Sequence, residues 1–201
     1  MITDARFSPC GRYRWWLQRC WDCERPPLLF VGLNPSRADA DRDDPTLRRL
    51  QAFARSWGYG RLEVLNLFAR ISPSPSVLRR SSEPVGAEND LWLQERVLAL
   101  ASVSGALWLG WGNGGAWCGR DQQVLSQLAC WARVPGAAAF TVPWLSLGLT
   151  AAGQPRHPLY VPGDARPVRL LHSGAKLCAA PPVDGPYTQS LCHSPLSGGR
   201  P

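Results

Sequence analysis

The sequence predicts an α/β fold, a three-layer sandwich with helices on both faces of a mostly parallel central sheet. Three observations predict it. Short strand-like runs at Leu28–Gly32, Arg61–Asn66, Ala106–Leu109 and Trp144–Leu147 alternate with segments of helical period, and such alternation calls for crossover connections. Leu28–Gly32 reads Leu-Leu-Phe-Val-Gly with no polar break, as a strand covered on both faces does. The chain has 201 residues, 45% of them hydrophobic and 18% charged, enough for one core and too apolar for wholesale disorder.

Residues 12–21 mix aromatics with Arg at near-alternate positions, the pattern of an edge strand with one buried face. After the buried strand at Leu28–Gly32, a polar loop runs from Leu33 to Asp44. Asp44-Pro45-Thr46 then opens a helix, because Asp accepts from the first unpaired N–H groups and Pro loses nothing at the first helical position. Leu47, Leu50, Phe53, Ala54 and Trp57 supply its apolar stripe, and Gly58 and Gly60 end it. The next strand is Arg61–Asn66, followed by a long loop over 69–86 rich in Pro. Asn89 is placed to cap a helix to about Val103, with Leu93, Val97, Leu100 and Ala101 inward. Ala106–Leu109 is the third short strand. Arg120–Arg133 reads as a helix with Val124, Leu125, Leu128 and Trp131 on one side, Trp144–Leu147 as the fourth strand, and Gly153–Gly163 as a loop. From Leu171 onward Pro, Gly, Ser and Ala show no period, so the predicted domain is 10–170 and 171–201 a poorly ordered tail.

Net charge is +7, carried by 21 Arg and the single Lys176. An Arg-rich surface suits an anionic partner such as a nucleotide or DNA, although the same bias also follows from genome composition. No apolar run reaches the length of a membrane span. Seven Cys stand at 10, 20, 23, 118, 130, 178 and 192, and Met1–Gly11 carries Asp4 and Arg6 rather than an apolar leader. Free thiols in a cytoplasmic protein are therefore expected. Cys20-Trp21-Asp22-Cys23 lacks the second ligand pair of a zinc site. The sequence calls for no metal and no cofactor.

Ligands of such sheets bind where strand carboxyl ends open onto loops. Four signals sit just after the four strands: Gly32-Leu33-Asn34-Pro35-Ser36, Leu65-Asn66-Leu67-Phe68, Trp111-Gly112-Asn113 and Arg156-His157-Pro158-Leu159-Tyr160. Together with GLNPSRADADRDDPTLRR (32–49), WGYG (57–60), VLNLFA (64–69), PVGAEND (84–90), GWGNGG (110–115) and GQPRHPLYVP (153–162), these make residues 13–162 closely resemble a bacterial family known as domain of unknown function 1643. The motif order is more distantly similar to the uracil-DNA glycosylase superfamily, with Gly32–Ser36 in the place of its first motif, Val64–Asn66 as its Asn-terminated strand, and His157–Tyr160 in the place of its second motif. This resemblance implies a uracil-DNA-glycosylase-like sandwich that grips a nucleobase.

In that reading Asn66 reads a base edge with one amide donor and one acceptor. His157 meets the charge that develops on the leaving base. Asn34 holds water by position alone, since an amide takes no proton at neutral pH. Gly32, Ser36, Trp111, Gly112 and Arg156 line the substrate, with Arg156 facing phosphate, and Phe68 or Tyr160 replaces the stacking ring that the glycosylases carry soon after their first motif. Asp39 and Asp44, in the acidic loop 39–44, are alternatively a carboxylate pair that activates water or holds Mg²⁺. Asp41 and Asp43 read as capping and solvated ion pairs, and Asn89 and Asp90 as helix caps. Each site residue also has a plainer use: Asn34-Pro35 makes a turn, Asn66 satisfies strand-end backbone, His157 is a surface imidazole, and Gly110–Gly115 is a tight turn. Three functions follow: an N-glycosidic hydrolase, a binding module without turnover, and a metal-assisted hydrolase. Cys192-His193-Ser194-Pro195 mimics the second motif but lies in the tail, with no strand before it.

Overall fold

A computed structural model describes residues 1–36, 42–131, 142–173 and 176–182. Eight strands form one sheet: β1 (Ile2–Phe7), β2 (Arg14–Cys20), β3 (Pro27–Gly32), β4 (Arg61–Asn66), β5 (Ala106–Leu109), β6 (Trp144–Ser146), β7 (Val168–Ser173) and β8 (Lys176–Pro182), in the order β1-β2-β4-β3-β5-β6-β7-β8. The helices are α1 (Pro45–Ser56), the single turn α2 (Pro75–Leu78), α3 (Asn89–Ala101) and α4 (Arg120–Trp131). The α/β class and the four central strands stand as expected.

The sheet is mixed rather than mostly parallel. Only β4, β3, β5 and β6 run together. They are the strands joined through helices, and a parallel neighbour needs a crossover. Antiparallel pairs flank them on both sides, β1 and β2 against β4, and β7 and β8 against β6. β7 and β8 pair antiparallel over 168–173 and 176–182, so the expected tail is sheet in its first part; 174–175 and 183–201 lie outside the described residues. The sheet thus runs past both bounds of the expected 10–170.

Strand β2 is not an edge strand. β1 covers its outer side in antiparallel register, Ile2 opposite Cys20 and Arg6 opposite Trp16. The Arg residues that looked like a solvent face are buried, Arg14 at 4% and Arg19 at 1% exposure. Arg19 achieves this by donating Nε and Nη2 to Asp43 Oδ1 at 3.0 and 2.8 Å, a charge-assisted pair that satisfies the guanidinium. Glu63, in the middle of β4, is held by Arg96 of α3 at 2.7 and 2.9 Å and by the Trp16 indole N–H.

Alternate residues of the central strands build two cores. Leu28, Phe30, Leu62, Val64 and Trp108 meet Leu47, Leu50, Phe53 and Ala54 of α1. Leu29, Val31, Leu65, Leu107 and Leu109 meet Leu93, Val97 and Leu100 of α3 and Val124, Leu125 and Leu128 of α4. The chain steps from β3 to β4 in one direction, then crosses back past β3 to β5 and β6. Crossovers of one hand that reverse direction land on opposite faces, which is why α1 covers one side and α3 with α4 the other.

Asp44 caps α1 as expected, its Oδ1 accepting from Leu47 N–H at 2.7 Å. Asn89 does not cap α3. It is the first residue inside the helix, fully buried, and its Nδ2 donates to the carbonyls of Asn66 and Leu67 at 3.1 Å each. Asp90 instead pairs with Arg120.

Candidate functional site

The reversal of direction at β3 leaves a crevice beyond the carboxyl ends of the parallel strands, where helices cannot fill the space. Two cavities open there. The outer one, of about 690 Å³, is walled by loops after all four strands: Asn34 and Ser36 after β3, Ser72 to Arg79 after β4, Trp111 to Gly114 after β5, and Thr150 to Tyr160 after β6. An inner chamber of about 70 Å³ is lined by Gly32, Asn66, Phe30, Arg14, Asp44 and His157, among others. Leu33, Asn34, Ser36, Thr46 and His157 line both. The first volume is that of a small-molecule site; the second is of the order of two waters.

Asn66, the last residue of β4, is 4% exposed, and its Nδ2 finds no partner. A buried amide N–H₂ left unpaired is costly unless a ligand or water meets it. Its backbone is pinned: Asn89 donates to the Asn66 and Leu67 carbonyls, and the buried Arg120 adds Nε to the Leu67 carbonyl at 2.9 Å.

His157 begins the short 3-10 turn Pro158–Tyr160, where its Nδ1 accepts from Leu159 N–H at 3.3 Å. That bond assigns the proton of the neutral ring to Nε2. Burial pushes the imidazole below its ordinary value of 6.5, outweighing the nearby Asp44 charge, which pulls it up. His157 is therefore a neutral donor at pH 7. The turn is fastened to α1 by Arg49, which donates Nε to the Pro158 carbonyl at 2.9 Å and Nη2 to that of Val161.

Asn34 donates both amide hydrogens, to the carbonyls of Pro35 and Ser72 at 3.0 and 3.1 Å. What it has left to offer is Oδ1, an acceptor. Asp44 accepts from Leu47 N–H and from Ser36 Oγ. Trp111 is buried and donates its indole N–H to Gln154 at 2.7 Å, and Thr150 donates to Asn113 at 2.7 Å, which latches the β5 and β6 loops together. Gly112, at φ +65°, lies against His157. Arg156 is exposed at the mouth, its Nε donating to the Leu149 carbonyl.

The structure thus gathers Asn34, Ser36, Trp111, Gly112, Arg156, His157 and Tyr160 around the outer cavity, and Gly32, Asn34, Ser36, Asp44, Asn66 and His157 around the inner one. Phe68 is not brought in. It is buried in the core against Trp117, ring centroids 4.9 Å apart. Tyr160 is 83% exposed and tilts over the His157 ring at 5.6 Å. The aromatic of the inner chamber is Phe30, which comes from the strand before the first motif rather than from the loop after it. Its position two residues ahead of Gly32, on the same strand face, was the available signal. Asp43 is occupied by Arg19 and Gln51, while Asp39 and Asp41 lie outside the described residues. Among the described residues no three His, Cys, Asp or Glu groups are arranged to hold a metal ion, and no helix is long and apolar enough to cross a membrane.

No curated protein and no solved structure matches the chain. Residues 14–159 match a family described as a protein of unknown function, DUF1643, and with nearly three quarters of its length so covered, the chain belongs to that family.

Proposed function

We propose that the chain recognises a nucleobase or nucleotide at the two joined cavities and cleaves its N-glycosidic bond, on a uracil-DNA-glycosylase-like arrangement of the four parallel strands. The observation that carries this reading is the unpaired, buried Nδ2 of Asn66 in a chamber shared with the neutral His157. An amide donor and a neutral N–H donor on the lining of one chamber suit the polar edge of a base, which carries carbonyl oxygens. The inner chamber takes that edge, beside the Phe30 ring. The outer cavity takes the sugar and phosphate, with Arg79 and Arg156 at its wall.

Bond cleavage sends the glycosidic electron pair to the base and leaves a cationic sugar. His157 Nε2–H donates to the oxygen on which the negative charge collects, at no cost of reorganisation because Leu159 fixes the ring. As the water oxygen bonds to the cationic sugar carbon, one of its O–H bonds breaks and the proton passes to the Asp44 carboxylate, with Asn34 Oδ1 accepting the other hydrogen; Asp44 returns its proton to solvent, from which the departing base anion is protonated.

A second reading, binding without turnover, draws on Tyr160 lying over His157 at the mouth rather than inside the chamber. One experiment separates the two. Oligonucleotides carrying uracil or mismatched bases are incubated with the full chain and scored for abasic sites by alkali cleavage, with nucleotide binding measured by calorimetry. Base release that falls about 10²–10³-fold in His157→Ala supports the hydrolase. Binding that is lost in Asn66→Ala without any base release supports the module. Neither release nor binding overturns both.

A further inference from the structure

At the opposite end of the sheet, away from the cavities, Cys20 and Cys23 bring their Sγ atoms to 2.7 Å as free thiols. Cys20 is the last residue of β2, paired with Ile2 of β1 and Arg61 of β4, and is 2% exposed. Cys23 is exposed in the turn that follows. This approach is imposed by the backbone. Trp21 and Asp22 N–H both donate to the Gly60 carbonyl at 3.0 Å, Gly60 N–H returns a bond to Pro26 at 3.1 Å, and the Trp21 indole N–H donates to the Tyr59 carbonyl. A Cβ on Gly60 would stand 1.9 Å from the Asp22 carbonyl oxygen, so only glycine lets the turn seat this closely.

We propose that Cys20 and Cys23 are a thiol–disulfide site that forms a reversible intrachain disulfide by exchange with a low-molecular-weight disulfide. The exposed Cys23 is the entry sulfur. Its thiolate attacks one sulfur of the external disulfide, forms a mixed disulfide and expels one thiolate. Cys20, deprotonated in turn, attacks Cys23 Sγ; the mixed S–S bond breaks and the second thiolate leaves. Two protein thiols are oxidised by two electrons, the external disulfide is reduced to two thiols, and the two protons pass to the departing sulfurs. Burial first, and then the bond to Cys23, pushes the Cys20 thiol up, which fits the buried sulfur to the resolving step rather than to the first attack. A bond of about 2.05 Å requires only a small side-chain rotation from the observed contact.

Cys10 provides an internal control. It sits at the far end of β2 in the β1–β2 turn, exposed, its thiol lowered to about 7 by the Ser8 hydroxyl and by Arg12.

The full chain is treated with excess oxidised glutathione, quenched in acid, alkylated with N-ethylmaleimide under denaturing conditions and mapped by peptide mass spectrometry. The expected result is loss of maleimide at both Cys20 and Cys23, a 20–23 bond two hydrogens lighter than the dithiol, and glutathione retained on Cys10. In Cys20→Ser, Cys23 retains glutathione; in Cys23→Ser, Cys20 takes maleimide only. Glutathione persisting on Cys23 of the parent chain, Cys20 bonded to a different cysteine, or both thiols blocked until zinc is chelated away would each overturn the proposal.

Discussion

Asn89 offers the sharpest test of how the site is held. Its side chain is fully buried and gives both amide hydrogens to carbonyls of the β4 end. Asn89→Ala removes two buried hydrogen bonds, each worth about 1 kcal/mol net. Leu67 keeps Arg120 as a donor, and the lost side chain takes with it Oδ1, an acceptor that has no partner. These offsets place the expected destabilisation at about 1–3 kcal/mol. Asn89→Asp keeps the shape but sets a carboxylate against two carbonyl oxygens. In so buried a place the carboxyl is driven to protonate, so its folded pKa rises above the free value of about 3.9. An acid with a raised folded pKa takes up a proton on folding, and its contribution falls by about 1.4 kcal/mol per pH unit from about pH 4 up to that folded value. Between pH 5 and 7 the Asp variant should therefore lose up to about 2.7 kcal/mol relative to the Ala variant. Urea unfolding followed by fluorescence of the ten Trp reads this directly at the two pH values. If the Asp and Ala variants lose the same stability at both, the Asn89 amide is not a donor to the β4 carbonyls and the pinning argument fails.

His157 should titrate below 6.5 in an NMR pH series, because burial lowers it; a base with a lowered folded pKa releases its proton on folding, so this contribution is complete above pH 6.5 and is lost as pH falls through the lowered value. Asp44→Asn removes the one charge that pulls His157 up and should move the titration further down, and an upward move would refute the assignment. Gly32→Ala places a Cβ 2.8 Å from Phe30 Cε1 and 3.0 Å from Asn66 Oδ1; ligand affinity measured by calorimetry should fall at least about tenfold while urea stability changes by only about 1–3 kcal/mol, and unchanged affinity would remove the inner chamber from the site.

The central strands were legible because burial on both faces leaves a strong mark: Leu28–Gly32 and Arg61–Asn66 are strands over the residues that periodicity indicated, or within one of them. The cap at Asp44 was legible for the same local reason, since an Asp-Pro-Thr start has one geometry. What failed was whatever depended on a partner distant in the chain. Arg14 and Arg19 looked solvated because nothing in 12–21 announces that Asp43 will arrive to satisfy Arg19. Asn89 looked like a cap because its bonds to 66 and 67 exist only once α3 packs on β4. The β7–β8 hairpin, in a stretch rich in small residues, is paired by backbone rather than announced by an apolar pattern. At the site, Asn34, Asn66 and His157 line one chamber, whereas Phe68, expected as a stacking ring, is packed in the core, and Phe30, assigned no role from sequence, lines the chamber because its strand face is that of Gly32.

The hydrogen-bond partners of the rim residues divide them into builders and readers. Asn34 uses its amide hydrogens on Pro35 and Ser72, Asn89 on Asn66 and Leu67, Trp111 on Gln154, Thr150 on Asn113, and Arg120 on Leu67 and Asp90. Each joins two loops or fastens a loop to a helix, and each of these donor groups is thereby paired within the protein. Asn66 Nδ2 is the exception on this rim: buried, its own carbonyl held by Asn89 and the next one by Asn89 and Arg120, and without a bond of its own. A fold that satisfies nearly every other donor around a chamber has no stability reason to leave this one open, because burial of an unpaired donor costs about 1–3 kcal/mol. Completing that bond with an acceptor from outside returns the cost as binding free energy, and the neutral His157 on the shared wall places a second donor beside it. Two donors on the wall of one chamber suit an acceptor edge, and under the proposed function the remaining question is which base presents its oxygens to both.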